Sequence, residues 1–209
     1  MVRIKICGIT TIDDALAAAE AGTDAIGLVF YPPSPRAIAV EAAAAILAAL
    51  PPFVTSVGLF VNAQRSWVDA VLQSCPLDLL QFHGDEAAAD CSGFGRPYIK
   101  VVRVTGEEDL RPQLRAHPSA RGFLLDRAAP QLWGGSGETF SWWPLPKLDK
   151  PLILAGGLSP DNVAEAIAIT RPYAVDVSSG VEASPGRKDH GKMRDFVARA
   201  RAADRRAEG

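Results

Sequence analysis

The chain has 209 residues, of which 48% are hydrophobic and 22% are charged, and its formal net charge is −2. This composition excludes a disordered chain, and the near-neutral charge argues against a nucleic-acid-binding protein, which needs basic residues to pair with phosphates. The three cysteines, Cys7, Cys75 and Cys91, are too few and too irregularly spaced for a disulfide framework or a CxxC metal site, and they indicate a reducing compartment.

The N-terminal sequence MVRIKIC shows no targeting signal, because Arg3 and Lys5 interrupt any apolar stretch. The longest uncharged apolar run, 42–50, is far shorter than the ~20 residues that span a bilayer. We therefore expect a cytoplasmic protein that has no membrane partner.

Eight short apolar segments with β character alternate with helical segments along the chain. The second segment is continuously apolar rather than alternating, which is typical of a parallel strand buried on both faces. The eight predicted strands are Arg3–Cys7, Ala25–Phe30, Thr55–Phe60, Leu77–Phe82, Tyr98–Val102, Gly122–Asp126, Leu152–Ala155 and Ala174–Val177.

Helix signals lie between these segments, as N-cap residues and as apolar residues at helical spacing. The first predicted helix starts at Thr11 and has Leu16 and Ala19 on its apolar face, and the second carries Trp67, Val68, Val71 and Leu72. The third has Ser159 as N-cap and Pro160 as its first residue, continues through Val163 and Ile167, and stops at Pro172. The last carries Met193, Phe196, Val197 and Ala200 and then frays. The Gly- and Pro-rich stretch 132–150 is predicted to be a long loop with at most a short helix.

Repeated βα units without a break in composition predict one domain over residues 1–209, and eight strands favour closure into a single (β/α)8 TIM barrel. An open, doubly wound sheet is the alternative. Its usual GxGxxG signature is missing after the first strand, where the sequence reads CGIT, so the barrel is favoured.

The active site of such a barrel forms at the carboxyl ends of the strands, where chemically active residues are therefore sought. These positions hold a thiol, carboxylates, guanidinium groups and glycine-rich loops that would meet on one rim. The residues are Cys7, Arg36, Asn62, His83, Arg103, Asp126, Gly156, Gly157, Asp176, Ser178, Ser179 and Gly180.

The two glycine-containing loops, around Gly156-Gly157 and Ser178-Ser179-Gly180, predict a phosphate site. Glycine lets backbone N–H groups approach an anion, and the loops after strands seven and eight usually form the phosphate site of these barrels. The alternative is that the glycines only form tight turns. A nucleotide P-loop over 180–188 is rejected, because its glycine and lysine spacing is wrong.

Cys7 and Asp126 each end a strand and can form an acid–base pair, in which a thiolate accepts a proton and a carboxylic acid donates one. The alternatives are a buried structural cysteine and an aspartate cap. A thiol is mostly protonated at pH 7, so this role requires positive potential nearby. Cys75 and Cys91 are interpreted as structural.

Arg36 follows the proline-stiffened segment 31–35, and a guanidinium held in place can bind a carboxylate at two points. A solvated loop arginine is the alternative. His83 is a possible third acid–base or ligand group, whereas His117 and His190 are expected on the surface. No group of residues has the spacing of metal ligands, so we expect no metal.

Eight groups of short motifs follow one another from the first strand to the last: KICGIT (5–10), GLVF with SPR (27–30 and 34–36), GLFVN (58–62), LQFHG (80–84), LLD (124–126), GGSG (134–137), LAGGL (154–158) and DVSSGVE (176–182). In this order, and over nearly the whole chain, they resemble the phosphoribosylanthranilate isomerase family of tryptophan biosynthesis.

The resemblance implies a (β/α)8 barrel that catalyses an Amadori rearrangement of an aminoaldose phosphate without a cofactor. Carried over by position, the general base matches Cys7, the general acid matches Asp126, and the arginine that recognises the anthranilate carboxylate matches Arg36. The phosphate loops match Gly156, Gly157, Ser178, Ser179 and Gly180. From their positions at strand ends, His83 and Asp176 are predicted as further substrate-binding residues. The implied partner is a small-molecule substrate, and the protein is a monomer or a homodimer.

Two positions depart from the family pattern. Ser141 stands where the family often has aspartate, near a loop expected to cover the site, and Arg127 stands where it often has threonine. Neither removes a catalytic group. Two rival functions are a histidine-pathway aminoaldose isomerase, which uses a carboxylate where this chain has Cys7, and a non-catalytic sugar-phosphate-binding barrel.

Overall fold

A computed structural model describes residues 1–104, 109–127, 145 and 148–207, without the side chains of 127 and 205–207. Its eight parallel strands close into a barrel in chain order, and β8 pairs with β1. The strands are β1 (Arg3–Cys7), β2 (Ala25–Val29), β3 (Thr55–Phe60), β4 (Leu79–Phe82), β5 (Tyr98–Val104), β6 (Gly122–Arg127), β7 (Leu152–Ala155) and β8 (Ala174–Val177). The predicted barrel is confirmed, and the open sheet is excluded.

Five described helices lie between strands along the chain and a sixth follows the last strand: α1 (Ile12–Glu20), α2 (Val40–Ala49), α3 (Arg65–Ser74), α4 (Arg111–Ala116), α5 (Val163–Thr170) and α6 (His190–Ala207). The predicted cap of α1 is confirmed, since Thr11 Oγ1 accepts the backbone N–H of Asp14. Its predicted apolar face is wrong, because Ala15 and Ala18 are buried whereas Leu16 is exposed. None of the helices in the described ranges is long and apolar enough to cross a membrane.

Two other helix boundaries differ from the prediction. α5 begins at Val163 and not at Pro160, because Ser159 to Asn162 form a turn held by the bond from Ser159 N–H to Asn162 Oδ1. α6 does not fray after Ala200 but continues to Ala207. The predicted loop over 132–150 lies outside the described residues, apart from 145 and 148–150.

Alternate residues of each strand face the inside of the barrel, since side chains of a strand point to opposite faces in turn. Apolar side chains fill the lower interior, among them Ile99, Leu124 and Ile153. Above them, Cys7 packs against Val29 and Leu59. The cysteine is therefore placed in the interior by the alternation of β1, at the end where the strands finish.

A short hairpin follows β8 and returns over the same end of the barrel. A 3₁₀ turn at Ser179–Val181 leads into β9 (Glu182–Ser184), which pairs with β10 (Arg187–Lys188). The hairpin places Glu182 and Lys188 beside the barrel mouth, and both side chains are buried.

Candidate active site

A cavity of about 550 Å³ opens at the carboxyl ends of the strands. Its volume lies within the usual range for small-molecule sites. Ten of the twelve residues predicted from the sequence line it, namely Cys7, Arg36, His83, Arg103, Asp126, Gly156, Gly157, Asp176, Ser178 and Ser179. Asn62 does not line the cavity and instead accepts a hydrogen bond from the backbone N–H of Asp85.

Cys7 lies on the cavity wall with only 5% of its surface exposed. Burial raises the pKa of its thiol above the ordinary value, and the negative charge of Asp176 adds to this effect. The ammonium groups of Lys5 and Lys188 lower the same pKa. The two cations supply the positive potential that a thiolate requires, although burial prevails in this state of the site.

Lys5 forms a buried ion pair with Asp176, and its Nζ lies 2.9 Å from both carboxylate oxygens. The two residues face each other in the register of β1 and β8. Burial lowers the pKa of Lys5, but the opposing effects of Asp176 and Cys7 outweigh it, so this pKa is raised and the ammonium keeps its proton. Lys5 was not predicted as a site residue from the sequence. The sequence feature that marks it is a charged residue two positions before Cys7, on the same face of a buried strand.

Asp126 at the end of β6 contacts His83, which follows β4. The distance between His83 Nε2 and Asp126 Oδ2 is 3.1 Å. On the far side of the imidazole ring, Nδ1 lies 3.4 Å from Nε2 of Gln81. His83 therefore connects the buried amide of Gln81 with the Asp126 carboxyl group, which faces the cavity. No role for Gln81 was predicted from the sequence.

Arg36 is held by the hairpin after β8. Its Nε and Nη2 each lie 2.7 Å from one carboxylate oxygen of Glu182, and Lys188 Nζ lies 2.9 Å from Glu182 Oε1. One carboxylate between two cations leaves a net positive charge beside the cavity, which suits an anionic group. Glu182 is the last residue of the motif at 176–182, but no role was predicted for it from the sequence.

The loops after β7 and β8 lie side by side on the cavity rim. Gly156 and Gly157 have φ angles of +83° and +69°, a conformation that favours glycine. Within the described residues, the backbone N–H groups of Gly157 and Ser179 make no hydrogen bond, so both can donate to an anion. Because α5 begins at Val163, the predicted helix N-terminus directly behind the glycines is wrong.

Gly180 is the other predicted residue that does not line the cavity. A Cβ atom at this position would lie 1.9 Å from the carbonyl oxygen of Leu158. Gly180 therefore allows the two loops to pack closely, and its contribution is to the shape of the site.

The other cysteines and histidines lie away from the cavity. Cys75 and Cys91 are buried, and burial raises the pKa of Cys91 to about 12. The prediction that His117 lies on the surface is wrong, because it is buried with its ring against Tyr98. His190 is exposed, and its Nε2 lies 2.8 Å from Oδ1 of Asp14. No three His, Cys, Asp or Glu residues in the described ranges form a group that could hold a metal ion.

The cavity thus combines a thiol near two ammonium groups, a carboxyl group with a histidine partner, a cationic corner and an edge of free N–H groups. Such a set can move protons on a ligand that carries two anionic groups, one at each end. Ser141 lies outside the described residues, as does the side chain of Arg127.

Comparison with known proteins agrees with this arrangement. The N-(5'phosphoribosyl)anthranilate (PRA) isomerase family matches residues 4–199. The N-(5'-phosphoribosyl)anthranilate isomerase of Acidithiobacillus ferrooxidans is 70% identical over 201 residues, which are 96% of this chain and 98% of that protein.

Two solved structures have the same fold over almost their whole length. Phosphoribosyl anthranilate isomerase from Thermotoga maritima is 45% identical, with a TM-score of 0.87, and the match covers 97% of this chain and 100% of that one. A phosphoribosyl anthranilate isomerase in complex with reduced 1-(o-carboxyphenylamino)-1-deoxyribulose 5-phosphate is 39% identical, with a TM-score of 0.81 and coverage of 97% and 100%. The chain therefore belongs to the N-(5'-phosphoribosyl)anthranilate isomerase family.

Proposed function

We propose that the protein is an aldose–ketose isomerase of tryptophan biosynthesis. It converts N-(5-phosphoribosyl)anthranilate into 1-(o-carboxyphenylamino)-1-deoxyribulose 5-phosphate by an Amadori rearrangement. The observation that carries this proposal is that Cys7 and Asp126 line one cavity between the cationic corner at Arg36 and the loop edge at Gly157 and Ser179. Family membership supports the same reaction.

The first step opens the ribose ring. Asp126 in its protonated form donates a proton to the ring oxygen while the bond between that oxygen and C1 breaks. The nitrogen lone pair forms the C1–N double bond, which gives a protonated imine. This imine is the electron acceptor for the next step, and for that reason the reaction we propose uses no cofactor and no metal ion.

The second step removes the proton from C2. Cys7 as a thiolate takes the proton, the C–H electron pair forms the C1–C2 double bond, and the imine electrons return to nitrogen. The resulting enolamine tautomerises to the ketone when C1 takes up a proton and the C2 hydroxyl loses one. Each acid–base group contributes ~100- to 10,000-fold to the rate.

The charges around Cys7 explain when the thiolate forms. In the free protein, burial and Asp176 keep the pKa of the thiol raised, against the effect of Lys5 and Lys188. The protonated imine adds a positive charge next to the sulfur after the ring has opened, and an opposite charge within a few ångströms favours the thiolate. The base is therefore generated at the stage at which it is needed.

Substrate orientation follows from two anion-binding positions on the cavity rim. The anthranilate carboxylate binds at Arg36, and the phosphate binds at Gly156, Gly157, Ser178 and Ser179, with Gly180 shaping that loop. A small molecule is the only partner that we propose, without nucleic acid or membrane. A cytoplasmic location, a single domain over 1–209, and a monomer or homodimer stay predictions.

The direct test is turnover of phosphoribosylanthranilate, followed by loss of its fluorescence with product detection. Asp126→Asn should abolish turnover, and Cys7→Ser should lower kcat by about two orders of magnitude or more, because an alcohol is a far poorer base. Both variants should keep the affinity of the wild type for inorganic phosphate. Near-wild-type turnover in either variant would contradict the role of that residue.

The same assay separates the rival functions. A histidine-pathway substrate, which is larger and carries phosphate at both ends, should not be turned over at a comparable rate. A sugar-phosphate-binding barrel without activity would bind phosphoribosylanthranilate and release it unchanged.

A further inference from the structure

Gln81 is a buried polar residue of the barrel interior to which the mechanism above assigns no task. It lies on β4 two positions before His83, so both side chains point to the inside of the barrel. Only 1% of its surface is exposed. Its amide oxygen has no hydrogen-bond partner among the described residues, whereas its amide nitrogen lies 3.4 Å from His83 Nδ1.

Hydrogen-bond rules give this contact a direction. An amide N–H group donates, so His83 Nδ1 must accept, and a neutral imidazole ring then carries its single proton on Nε2. That proton points at Asp126 Oδ2, 3.1 Å away, so Oδ2 accepts and cannot itself carry a proton. With Asp126 ionised, this arrangement offers no proton to the ligand.

Rotation of the Gln81 amide group by half a turn reverses the direction of these hydrogen bonds. The amide oxygen, which has no partner before the rotation, then accepts a hydrogen bond from His83 Nδ1–H. The lone pair of Nε2 then faces Asp126, so Oδ2 of that carboxyl group must carry a proton and donate a hydrogen bond. The second arrangement gives the buried oxygen a partner, leaves the amide nitrogen without one among the described residues, and puts Asp126 in the proton-donating form.

We propose that Gln81 is a positioning residue that sets the tautomer of His83 through the orientation of its amide group and thereby prepares Asp126 to donate a proton. The inference rests on the proposed role of Asp126 as general acid. Gln81 itself is not a catalytic residue, since it acts through His83.

The protons balance between the two arrangements. The donating arrangement holds one proton more than the other, and this proton leaves Asp126 for the ring oxygen of the substrate. Solvent supplies its replacement, because 32% of the Asp126 side chain and 24% of the His83 side chain are exposed. The imidazole proton moves between Nδ1 and Nε2 by exchange with the same water.

Other charged groups near Gln81, His83 and Asp126 come from three other strands. Asp176 on β8 interacts electrostatically with both Asp126 and His83 and is itself paired with Lys5 on β1. Cys7 at the end of β1 and Arg103 on β5 line the same cavity. None of these groups forms a hydrogen bond with Gln81 in the described structure. Variants at Gln81 therefore test the hydrogen bonds of its amide group rather than the electrostatic potential of the site.

The test is nitrogen-15 NMR of histidine-labelled protein, which distinguishes the two tautomers and does not depend on activity. The chain has three histidines, and the signals missing in His83→Asn identify those of His83. In its ionised form, the side chain of Gln81→Glu can only accept a hydrogen bond and should fix the proton of His83 on Nδ1. Gln81→Met can neither accept nor donate in this way, and the signals of His83 should move away from those of the wild type.

Kinetics provide a second readout. Because a general acid must hold its proton, kcat/KM falls at high pH. Gln81→Glu should raise the midpoint of this decrease in kcat/KM by roughly one pH unit, as expected for a nearby negative charge. Gln81→Met should move it downward and lower kcat roughly tenfold with little change in KM, which indicates loss of an interaction that acts in the chemical step.

Ile153→Ala is the matched control, since it removes packing from the barrel interior on β7, three strands away from β4. It should leave the His83 signals and the pH profile unchanged. If Gln81→Met has the His83 signals and high-pH limb of the wild type, the inference is wrong, even if the rate drops through lost packing. That outcome leaves the proposed function intact, whereas full turnover by Asp126→Asn would remove both.

Discussion

Arg36 and Glu182 form a two-point ion pair across 146 positions of the sequence, with Nε and Nη2 of the arginine each 2.7 Å from a carboxylate oxygen. Glu182 is itself fixed by Lys188, whose side chain is fully buried. The pair uses two of the three guanidinium nitrogens, and Nη1 makes no hydrogen bond within the described residues. The orientation of Arg36 toward the cavity is therefore set before a ligand arrives.

Arg36→Met should raise the Michaelis constant for phosphoribosylanthranilate by roughly 10- to 150-fold. The reason is that a charged hydrogen-bonded contact contributes ~1.5–3 kcal/mol, and each 1.4 kcal/mol changes affinity about tenfold. Inhibition by inorganic phosphate should stay the same, because we propose that phosphate binds at the loops after β7 and β8 and not at Arg36. Arg187→Met, an exposed change in the same hairpin, serves as the control and should leave both constants unaltered. An unchanged Michaelis constant in Arg36→Met would mean that the carboxylate is recognised elsewhere.

Cys7 in the free protein should react slowly with iodoacetamide at neutral pH. The thiolate is the reactive form, and burial raises the pKa of this thiol, so the rate should rise only above the ordinary thiol range. Peptide mass spectrometry after timed labelling measures the rate at each pH for each cysteine. In chemically unfolded protein the midpoint for Cys7 should return to the ordinary value, and a midpoint below that value in the folded protein would contradict the prediction.

Lys5→Met should lower the free energy of unfolding by ~3–5 kcal/mol, because it leaves the carboxylate of Asp176 buried without its partner. The loss should shrink as the pH falls, since burial raises the pKa of Asp176 and protonation removes the unpaired charge. Denaturant unfolding at several pH values measures this. The double variant Lys5→Met with Asp176→Leu should recover most of the stability, and a double variant as unstable as the single one would contradict the explanation.

Gly27→Ala tests the space that the Cys7 thiol requires. A Cβ atom at position 27 would lie 2.6 Å from the sulfur, so the thiol must move. We expect kcat to fall about ten- to hundredfold, as for other small misplacements of a reacting group. Gly58→Ala is the matched control, because its Cβ would meet the flexible end of Leu77 at 2.4 Å. It should reduce the melting temperature while kcat stays near the wild-type value.

The barrel could be predicted because each strand carries its own signal. The eight apolar segments lie within two residues of the observed strand boundaries, and closure in chain order follows from repeated βα units. Cys7, Arg36 and Asp126 could be predicted as neighbours for the same reason, since closure brings all strand ends to one rim.

The partners of these residues could not be predicted in the same way. Lys5 and Asp176 pair only because β1 meets β8, and a sequence does not state which charge in a strand finds which partner. His117 is adjacent to a proline and resembles a surface residue locally, yet the ring of Tyr98 on another element covers it. The start of α5 depended on the hydrogen bond from Ser159 N–H to Asn162 Oδ1, which holds a turn ahead of the helix.

The contact between β1 and β8 also has a consequence for folding. Lys5 meets Asp176, and Arg36 meets Glu182, only after the first and last strands have joined, and such distant contacts form slowly because a long loop must close first. A refolding chain should therefore gain most of its helices and strands before it can bind any ligand. The appearance of phosphate binding during refolding would mark the moment of ring closure.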